Sequence, residues 1–448
     1  MDQFSSPQQD EISLWDSLYF AYRKAKADVY YQSADRAKLL KYEENLEQNI
    51  ETLLDAINEG PGASLFADPS FTGTGAFLPK SLDLDPEDVR ANISSEDTTV
   101  YTSLQQQWEQ EVLKTEGIDK PFTASFRLMS DCGIGLHVLS ALWIMLVGEE
   151  IDQNLFEKRP YANRIRRTRD KKYNRSSLGT FERYVKGYKE WMTDATDAMD
   201  RLIKQKKKVA SFSTDAAEYF HRIPASILIS KWFKEEHLKP LKTTDLKVRL
   251  TECLNQSLIN WEKRTTSDLR LRTDESSTPS LGLPVGLSCS AFLGNVVLDE
   301  FDKLIKEEVK PAYYGRYVDD ITLVMEWHEE FTTPQKVWEW IGKRTDRITM
   351  TVPDNAQNLS DTPNVVFRVV PSELDASQED SNNDAFNVIF KANKTKLLVA
   401  DAESGQRAIE ALKHSLQERS SEWRLLARTP IDADNIGPEL ISALDEAG

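Results

Sequence analysis

The chain has 448 residues, a net charge of −17 and 40 % hydrophobic residues, which indicates a folded protein rather than a disordered one. This length allows about three domains, and no run of about 18 apolar residues supports a membrane span. The acidic start, MDQFSSPQQDEISLWD, lacks a signal-peptide pattern. The three cysteines are far apart, which excludes a disulfide framework and a cysteine-based zinc site and favours the cytoplasm.

The first predicted elements are helices. Apolar residues at three- and four-residue spacing predict helices over residues 11–60, and Gly60-Pro61-Gly62 ends the last of them. Residues 61–100 are rich in Gly, Pro, Ser and Asp, which predicts an irregular connection. Helices are expected again at 101–116 and 133–149. The second of these, GIGLHVLSALWIMLVG, has the composition of a buried core helix.

A strongly basic segment follows. Residues 158–175, KRPYANRIRRTRDKKYNR, hold nine Lys or Arg against one Asp, and we call this segment the basic strip. A second run, RLIKQKKK at 201–208, adds five cations. Because the acidic excess lies elsewhere, a basic strip can bind a nucleic-acid backbone although the whole chain is acidic. The predicted nucleic-acid contacts are Arg166, Arg169, Lys171 and Lys172. A solvated helix face or loop is the alternative for either run.

The second half of the chain mixes strands with helices. A helical pattern covers 178–205, and a short strand then leads into Asp215. A helix is expected from about Pro224, and two more over 231–265. The remaining elements are predicted in this order: a Gly- and Pro-rich loop with an apolar helix (274–305), a hairpin GRYVDDITLV (315–324), a Trp-rich helix (335–345), strands (364–370 and 386–391), ANKTKLLVA (392–400) and a helical tail (405–448). This order predicts an α+β fold with an antiparallel sheet.

The hairpin places Asp319 and Asp320 side by side in an apolar run. Adjacent carboxylates raise each other's pKa, and burying them costs several kcal/mol unless a cation compensates. Two-metal phosphoryl transfer needs carboxylates that converge on two ions about 4 Å apart, and Mg²⁺ prefers oxygen ligands. Asp215 can join the pair if its strand lies beside the hairpin. We therefore predict that Asp215, Asp319 and Asp320 are catalytic ligands of two Mg²⁺ ions, with Mn²⁺ as an alternative; a solvated turn is the simpler reading.

Four segments occur in a characteristic order: DAAEYF (215–220), LGLPVGLSCSAFLGNVVLDEFD (281–302), YVDD (317–320) and ANKTKLL (392–398). They resemble, respectively, the D-x-x-x-x-F/Y segment, the L-P-x-G…S…N…L segment, the Y-x-D-D box and the N-K-T element of reverse transcriptases. This resemblance implies a right-hand polymerase with fingers and palm that uses dNTPs and nucleic acid.

The same resemblance suggests roles in nucleotide binding. Phe220 would lie under the incoming sugar and exclude a 2′-hydroxyl by its bulk, and a plain core aromatic is the alternative. Gly286 would let the backbone approach the nucleotide closely.

Three cations are candidates for phosphate chemistry. Arg164 and Arg167 in the basic strip would clamp the triphosphate through charge-assisted hydrogen bonds, with a general basic patch as the alternative. Lys394 would protonate pyrophosphate as a general acid, with Lys396 as the rival choice.

Within the family, the chain is most similar to bacterial defence-associated and abortive-infection reverse transcriptases, part of the unknown-group reverse transcriptases. The similarity lies in RKAKADVYY (23–31), YANRIRR (161–167) and GTFERYVKGYKEW (179–191). Two departures stand out. Val285 occupies a position that is often Gln in templated enzymes, which bears on template grip. No endonuclease or maturase segment follows the palm motifs, which disfavours a mobile-intron enzyme.

We expect a helical N-terminal extension (1–120), a fingers-like region with the basic strip (121–208), a palm (209–400) and a helical thumb-like or connecting tail (401–448). The expected function is RNA-directed or template-independent DNA synthesis in antiphage defence, with a noncoding RNA template or self-made DNA. A homo-oligomer or a partner protein is a further expectation, and a membrane is not. The alternative is a nucleic-acid-binding structural subunit of an antiviral complex. An RNA-dependent RNA polymerase is disfavoured by Phe220 and the Y-x-D-D context.

Overall fold

The computed structural model describes residues 13–32, 36–83, 123–156, 160–241, 244–273, 281–351, 364–369, 387–391, 394–401 and 405. The helix predicted at 101–116 lies outside the described residues. So does the predicted helical tail, apart from Gly405.

Three helices open the described chain: α1 (Leu14–Gln32), α2 (Arg36–Glu43) and α3 (Leu46–Glu59). The α3 helix is amphipathic, since its buried residues Ile50, Leu53 and Ile57 recur at helical spacing. It ends at Gly60, whose φ of 103° is a conformation that other residues rarely adopt. The prediction of helices in this part of the chain is confirmed.

The connection predicted after α3 contains a strand instead. Strand β1 (Thr74–Asp83) pairs antiparallel with β2 (Thr123–Asp131), with Thr74 opposite Asp131 and Asp83 opposite Thr123. The prediction of irregular structure over 61–100 is therefore wrong for β1. Gly75 and Pro79 lower its strand propensity, and the register shifts directly after Pro79, where a proline is tolerated in a ladder. Pairing with β2 decides the conformation.

The apolar stretch predicted as a core helix forms α4 (Ile134–Asn154), with a π-helical turn at Ile144–Gly148. By length and composition alone, α4 could cross a membrane. However, 78 % of its most apolar 18-residue window is buried inside the protein. The core helix of a folded domain can be equally long and apolar. The helix packs against α1 and lies in the main hydrophobic core.

The remaining elements follow in chain order: α5 (Tyr184–Lys204), β3 (Val209–Asp215), α6 (Asp245–Thr273), α7 (Ser288–Leu304), β4 (Tyr313–Tyr317), β5 (Asp320–Glu326), α8 (Pro334–Gly342), β6 (Ile348–Thr351), β7 (Asn364–Arg368), β8 (Asn387–Lys391) and β9 (Lys396–Ala400). Strand β6 was not predicted from the sequence, and one predicted helix differs in length. The helix expected from Pro224 is preceded by a helical turn at Tyr219–Arg222 and shrinks to a 3-10 turn at Ile227–Ile229.

Two antiparallel sheets organise this second half. The four-stranded sheet has the order β4-β5-β3-β9, and the three-stranded sheet has the order β6-β7-β8. Alternation along β3 sends Phe212 into the main core, whereas Val209 packs with α5 residues on the opposite face. Helices combined with antiparallel sheets make the fold α+β, as the sequence predicts.

Candidate active site

Two predicted site residues meet where neighbouring strands of the four-stranded sheet end. Asp215 is the last residue of β3, and the antiparallel register places it directly opposite Asp320, the first residue of β5. Asp320 also lies opposite Tyr317 on β4. The strands that carry Asp215 and the Asp-Asp pair are therefore neighbours, which a shared site requires.

A two-residue turn, Val318 and Asp319, joins β4 to β5. Asp319 thus lies at the tip of the hairpin, whereas Asp320 already belongs to the ladder. Val318 has a φ of 58°, in the left-handed region. A β-branched residue is rarely found there, because its side chain crowds the backbone. The turn is strained directly beside Asp319.

The electrostatics of Asp319 are unusual. Burial raises its pKa from 3.8 to about 6, and the nearby negative charge of Asp215 adds to the rise. The positive charges of Arg127 and Lys394 act in the opposite direction. The Lys394 ammonium lies 3.3 Å from Asp215 Oδ2, so the structure brings this predicted residue to the carboxylates. The cluster carries a carboxylate charge that a cation would stabilise.

The donor chemistry of this cluster suits a divalent ion. Mg²⁺ is commonly held by one or two carboxylates together with substrate phosphates, and the raised pKa of Asp319 marks a carboxylate that lacks full compensation. Within the described residues, no group of three His, Cys, Asp or Glu side chains is placed to enclose a metal ion. The carboxylates at the strand ends would hold an ion together with the phosphates of a substrate.

Phe220 lies beside the first residues of the Gly-rich loop. Its backbone carbonyl accepts a hydrogen bond from Leu283 N at 2.8 Å, and its side chain is half-buried against the core. Its ring lies over Gly294 of α7, where an added Cβ would come within 3.0 Å of Phe220 Cε1. Tyr219 beside it donates from its hydroxyl to the Gly294 carbonyl at 2.5 Å. The absence of a side chain at Gly294 thus sets where the Phe220 ring rests.

The Gly-rich loop docks on β2. The Val285 carbonyl accepts hydrogen bonds from both the backbone N and the hydroxyl of Ser130, each at 2.8 Å. Gly286 has a φ of +112°, and an added Cβ would lie 3.1 Å from the Ser130 hydroxyl. A glycine is required here by both the backbone and the close approach. This contact holds β2, and with it Arg127, at the site.

Arg164 and Arg167 have partners that the sequence did not reveal. Arg164 Nε donates to Asp152 Oδ1 at 2.9 Å, and Arg167 donates to Asp152 Oδ2 at 3.1 Å and to Glu149 Oε1 at 2.7 Å. The Asp152 side chain is only 1 % exposed, so these bonds neutralise a buried carboxylate at the end of α4. The geometry gives both arginines a partner within the protein, and their contact with a triphosphate stays a prediction.

The described part of the basic strip, residues 160–175, contains a hairpin-like loop. Thr168 N bonds the Lys172 carbonyl at 2.8 Å, and the side chains of Arg169, Lys171 and Lys172 are exposed at its end. Arg166 is half-buried and donates to the Leu178 carbonyl. In the second basic run, Lys204 and Lys207 form ion pairs with Asp200 and Glu326. Arg201, Lys204, Lys206 and Lys208 of that run are exposed as well, and contact of either run with nucleic acid stays a prediction.

Sequence reasoning did not single out Arg127 or Arg316. Arg127 belongs to β2, a strand that was not predicted, and no local pattern marks it. Arg316 stands beside the Y-x-D-D box, yet the sequence gives no sign that its side chain is fully buried.

Comparison with known proteins gives the family. No curated protein matches the chain. The model of the family described as reverse transcriptase (RNA-dependent DNA polymerase) matches residues 118–355, which is more than half of the chain. This domain implies a right-hand polymerase fold, a nucleic-acid template and dNTP substrates, and such domains generally use divalent metal ions. The chain therefore belongs to the reverse transcriptase family and is an RNA-directed DNA polymerase, a nucleotidyltransferase.

Proposed function

We propose that the protein synthesises DNA by two-metal nucleotidyl transfer at the Asp215–Asp319–Asp320 cluster, and that it does so in antiphage defence. The main support for the catalytic role is the strand register, which places Asp215 opposite Asp320 and beside the hairpin turn. Burial and the charge of Asp215 raise the pKa of Asp319 there. Clustered carboxylates whose pKa values are perturbed are typical of catalytic sites.

Asp215 and Asp319 are the proposed direct ligands, and Asp320 supports them from the adjacent ladder position. Bound Mg²⁺, or Mn²⁺, would lower the pKa of an attacking 3′-hydroxyl and neutralise charge on the triphosphate. Lys394 then contributes in its own right. It lies 3.3 Å from Asp215 Oδ2, and from this position its ammonium would donate a proton to the departing pyrophosphate.

Two further side chains are proposed to bind the incoming nucleotide. The Phe220 ring, resting on Gly294, blocks the space of a ribose 2′-hydroxyl. Arg127 is proposed as a triphosphate contact, because its charge acts on Asp319. Arg164 and Arg167, which are bound to Asp152, stay the alternative that the sequence suggests. Fingers then correspond to the β1–β2 ribbon with the basic strip, and the palm to the four-stranded sheet.

The defence role rests on the sequence similarity of residues 23–31, 161–167 and 179–191 to abortive-infection enzymes. In that role the protein acts in the cytoplasm, and a noncoding RNA or self-made DNA is the proposed nucleic-acid partner. A homo-oligomer or a second protein is the proposed assembly.

Incubation of the purified protein with Mg²⁺ and labelled dNTPs, with and without its co-purified RNA, tests the activity. We expect incorporation that Asp319→Asn abolishes, and sequencing of the product shows whether RNA was copied. Expression in bacteria challenged with phage tests the role, with fewer plaques expected for the parent than for Asp319→Asn.

Equal plaque reduction by the parent and by a folded, inactive Asp319→Asn variant would contradict a catalytic defence role. It would favour the alternative, a nucleic-acid-binding subunit of an antiviral complex. Absence of incorporation under all these conditions would contradict the polymerase mechanism itself.

A further inference from the structure

One charged side chain near the site is buried completely. Arg316, at the end of β4, is 0 % exposed, as is its partner Asp302 on α7. Arg316 Nε donates to Asp302 Oδ1 at 2.8 Å, and Nη2 donates to Asp302 Oδ2 at 2.9 Å. A buried guanidinium is tolerated only when it is paired and its remaining N–H groups are satisfied. The other acceptors of this guanidinium therefore matter.

Those acceptors belong to Asn295 and Val318. Nη2 donates to the Asn295 carbonyl at 3.0 Å and Nη1 to Asn295 Oδ1 at 2.8 Å. Nη1 also donates to the Val318 carbonyl at 3.2 Å. The Asn295 amide in turn donates to the carbonyls of Ala162 and Asn163. The network thus joins α7, the start of the basic strip and the turn of the hairpin.

The bond to Val318 falls at the strained position. Left-handed backbone at a non-glycine residue costs on the order of 1–3 kcal/mol and persists only where the surroundings over-determine it. Val318 is such a residue, with a φ of 58°, and Asp319 follows it directly. The Arg316 side chain donates to the Val318 carbonyl and so contacts the strained position directly.

We propose that Arg316 is a positioning residue for catalysis: held by Asp302 and Asn295, it fixes the left-handed turn at Val318 and so aims the Asp319 carboxylate. The inference rests on the proposed role of Asp319 as a metal ligand. It also assigns a task to Asn295, the asparagine of the L-P-x-G…S…N…L segment.

Rescue by a second substitution separates positioning from plain stabilisation. Arg316→Lys keeps a charge for Asp302 but loses the planar fork that reaches Val318. Val318→Gly removes the cost of the left-handed turn, so the hairpin no longer needs Arg316 to hold it. If Arg316 acts through the turn, the double variant must recover the kcat and the Mn²⁺ affinity that Arg316→Lys loses.

The measurements are kcat and the KM for dNTP per folded molecule, and the Kd of Mn²⁺ alone by calorimetry without nucleotide. We expect Arg316→Lys to lower kcat at least tenfold, to leave KM within about twofold and to weaken Mn²⁺ binding several-fold. Adding Val318→Gly should restore both quantities by at least fivefold.

Arg347→Lys is the matched control. Arg347 also pairs with a carboxylate on α7, Glu300, at 3.0 Å and also donates to a backbone carbonyl, that of Arg368, but it lies by the three-stranded sheet. Its substitution should lower the melting temperature and leave kcat per folded molecule and Mn²⁺ affinity unchanged.

Unchanged kcat in folded Arg316→Lys, or no recovery in the double variant, overturns the inference. If Arg316→Lys does not fold, Asn295→Ala keeps the Arg316–Asp302 pair and is judged by the same criteria, with and without Val318→Gly. Suppose that the parent incorporates no nucleotide, but Mn²⁺ affinity falls in Arg316→Lys and recovers in the double variant. That result contradicts the proposed function and leaves the inference standing. A parent that neither binds Mn²⁺ nor incorporates nucleotide contradicts both.

Discussion

Replacing Asp319 by Asn should stabilise the metal-free protein while it destroys the activity. Burial and the charge of Asp215 raise the pKa of Asp319 from 3.8 to about 6. The folded state therefore holds this proton more tightly than the unfolded chain, and the free energy of unfolding falls as pH rises from about 4 to about 6. Above pH 6 the ionised Asp319 carboxylate destabilises the folded state. Asn cannot ionise, so the substitution removes this destabilisation.

The size of the effect follows from the two pKa values. Each pH unit between them corresponds to about 1.4 kcal/mol, so the upper bound is about 3 kcal/mol. Asp319 is partly exposed, and solvent screening reduces this figure. We expect Asp319→Asn to gain about 1–3 kcal/mol in free energy of unfolding at pH 7.5 in EDTA, and nothing below pH 4.

Urea unfolding of parent and variant across this pH range measures the gain. Asp346→Asn is the control, because it removes the same charge from an exposed position. Added Mg²⁺ should stabilise the parent and the control but not Asp319→Asn, and incorporation by the variant should fall roughly 10³-fold or more. A variant no more stable than the parent at pH 7.5 would refute the electrostatic reasoning, and near-normal incorporation would remove Asp319 from the mechanism.

Four further variants test the nucleotide and nucleic-acid contacts. Phe220→Ala should admit ribonucleotides while dNTP use continues, because space opens where the 2′-hydroxyl lies; unchanged sugar discrimination in primer-extension assays would return Phe220 to the core. Arg127→Ala should raise the KM for dNTP about tenfold, as expected for loss of one charge-assisted phosphate contact, whereas Arg164→Ala should lower the melting temperature without this KM effect; the reverse pattern would restore the sequence-based assignment. Reversing the strip to Glu should weaken RNA and DNA binding alike and flatten its salt dependence, and equal affinity at every salt concentration would make the strip a solvated surface. The four reversed residues are Arg166, Arg169, Lys171 and Lys172.

Short-range patterns were sufficient for much of this fold. Helix α3 could be predicted because its apolar spacing and its terminal Gly60 lie within the helix itself. The hairpin of β4 and β5 could be predicted because a two-residue turn sits between strand-forming residues. Asp215 and Asp319 could be proposed together because one ends a predicted strand, the other lies in a predicted hairpin turn, and both segments resemble polymerase motifs. Each of these signals is contained in a few consecutive residues.

Tertiary structure alone decided which charged groups meet. Arg164 and Arg167 were predicted as phosphate ligands from the sequence, and folding places the buried carboxylate of Asp152 against them, a partner that the sequence did not reveal. Strand β1 exists because β2 pairs with it, although Gly75 and Pro79 disfavour a strand. The sequence gives no sign that Arg316 is buried, and the acceptors of its guanidinium include Asp302 and Asn295 on α7, an element distant from it along the chain. The sequence by itself determined which carboxylates are candidates for the chemistry, because side-chain type and local turns can be read from it. It could not determine how these residues are paired and buried, because those partners lie on elements that are distant along the chain.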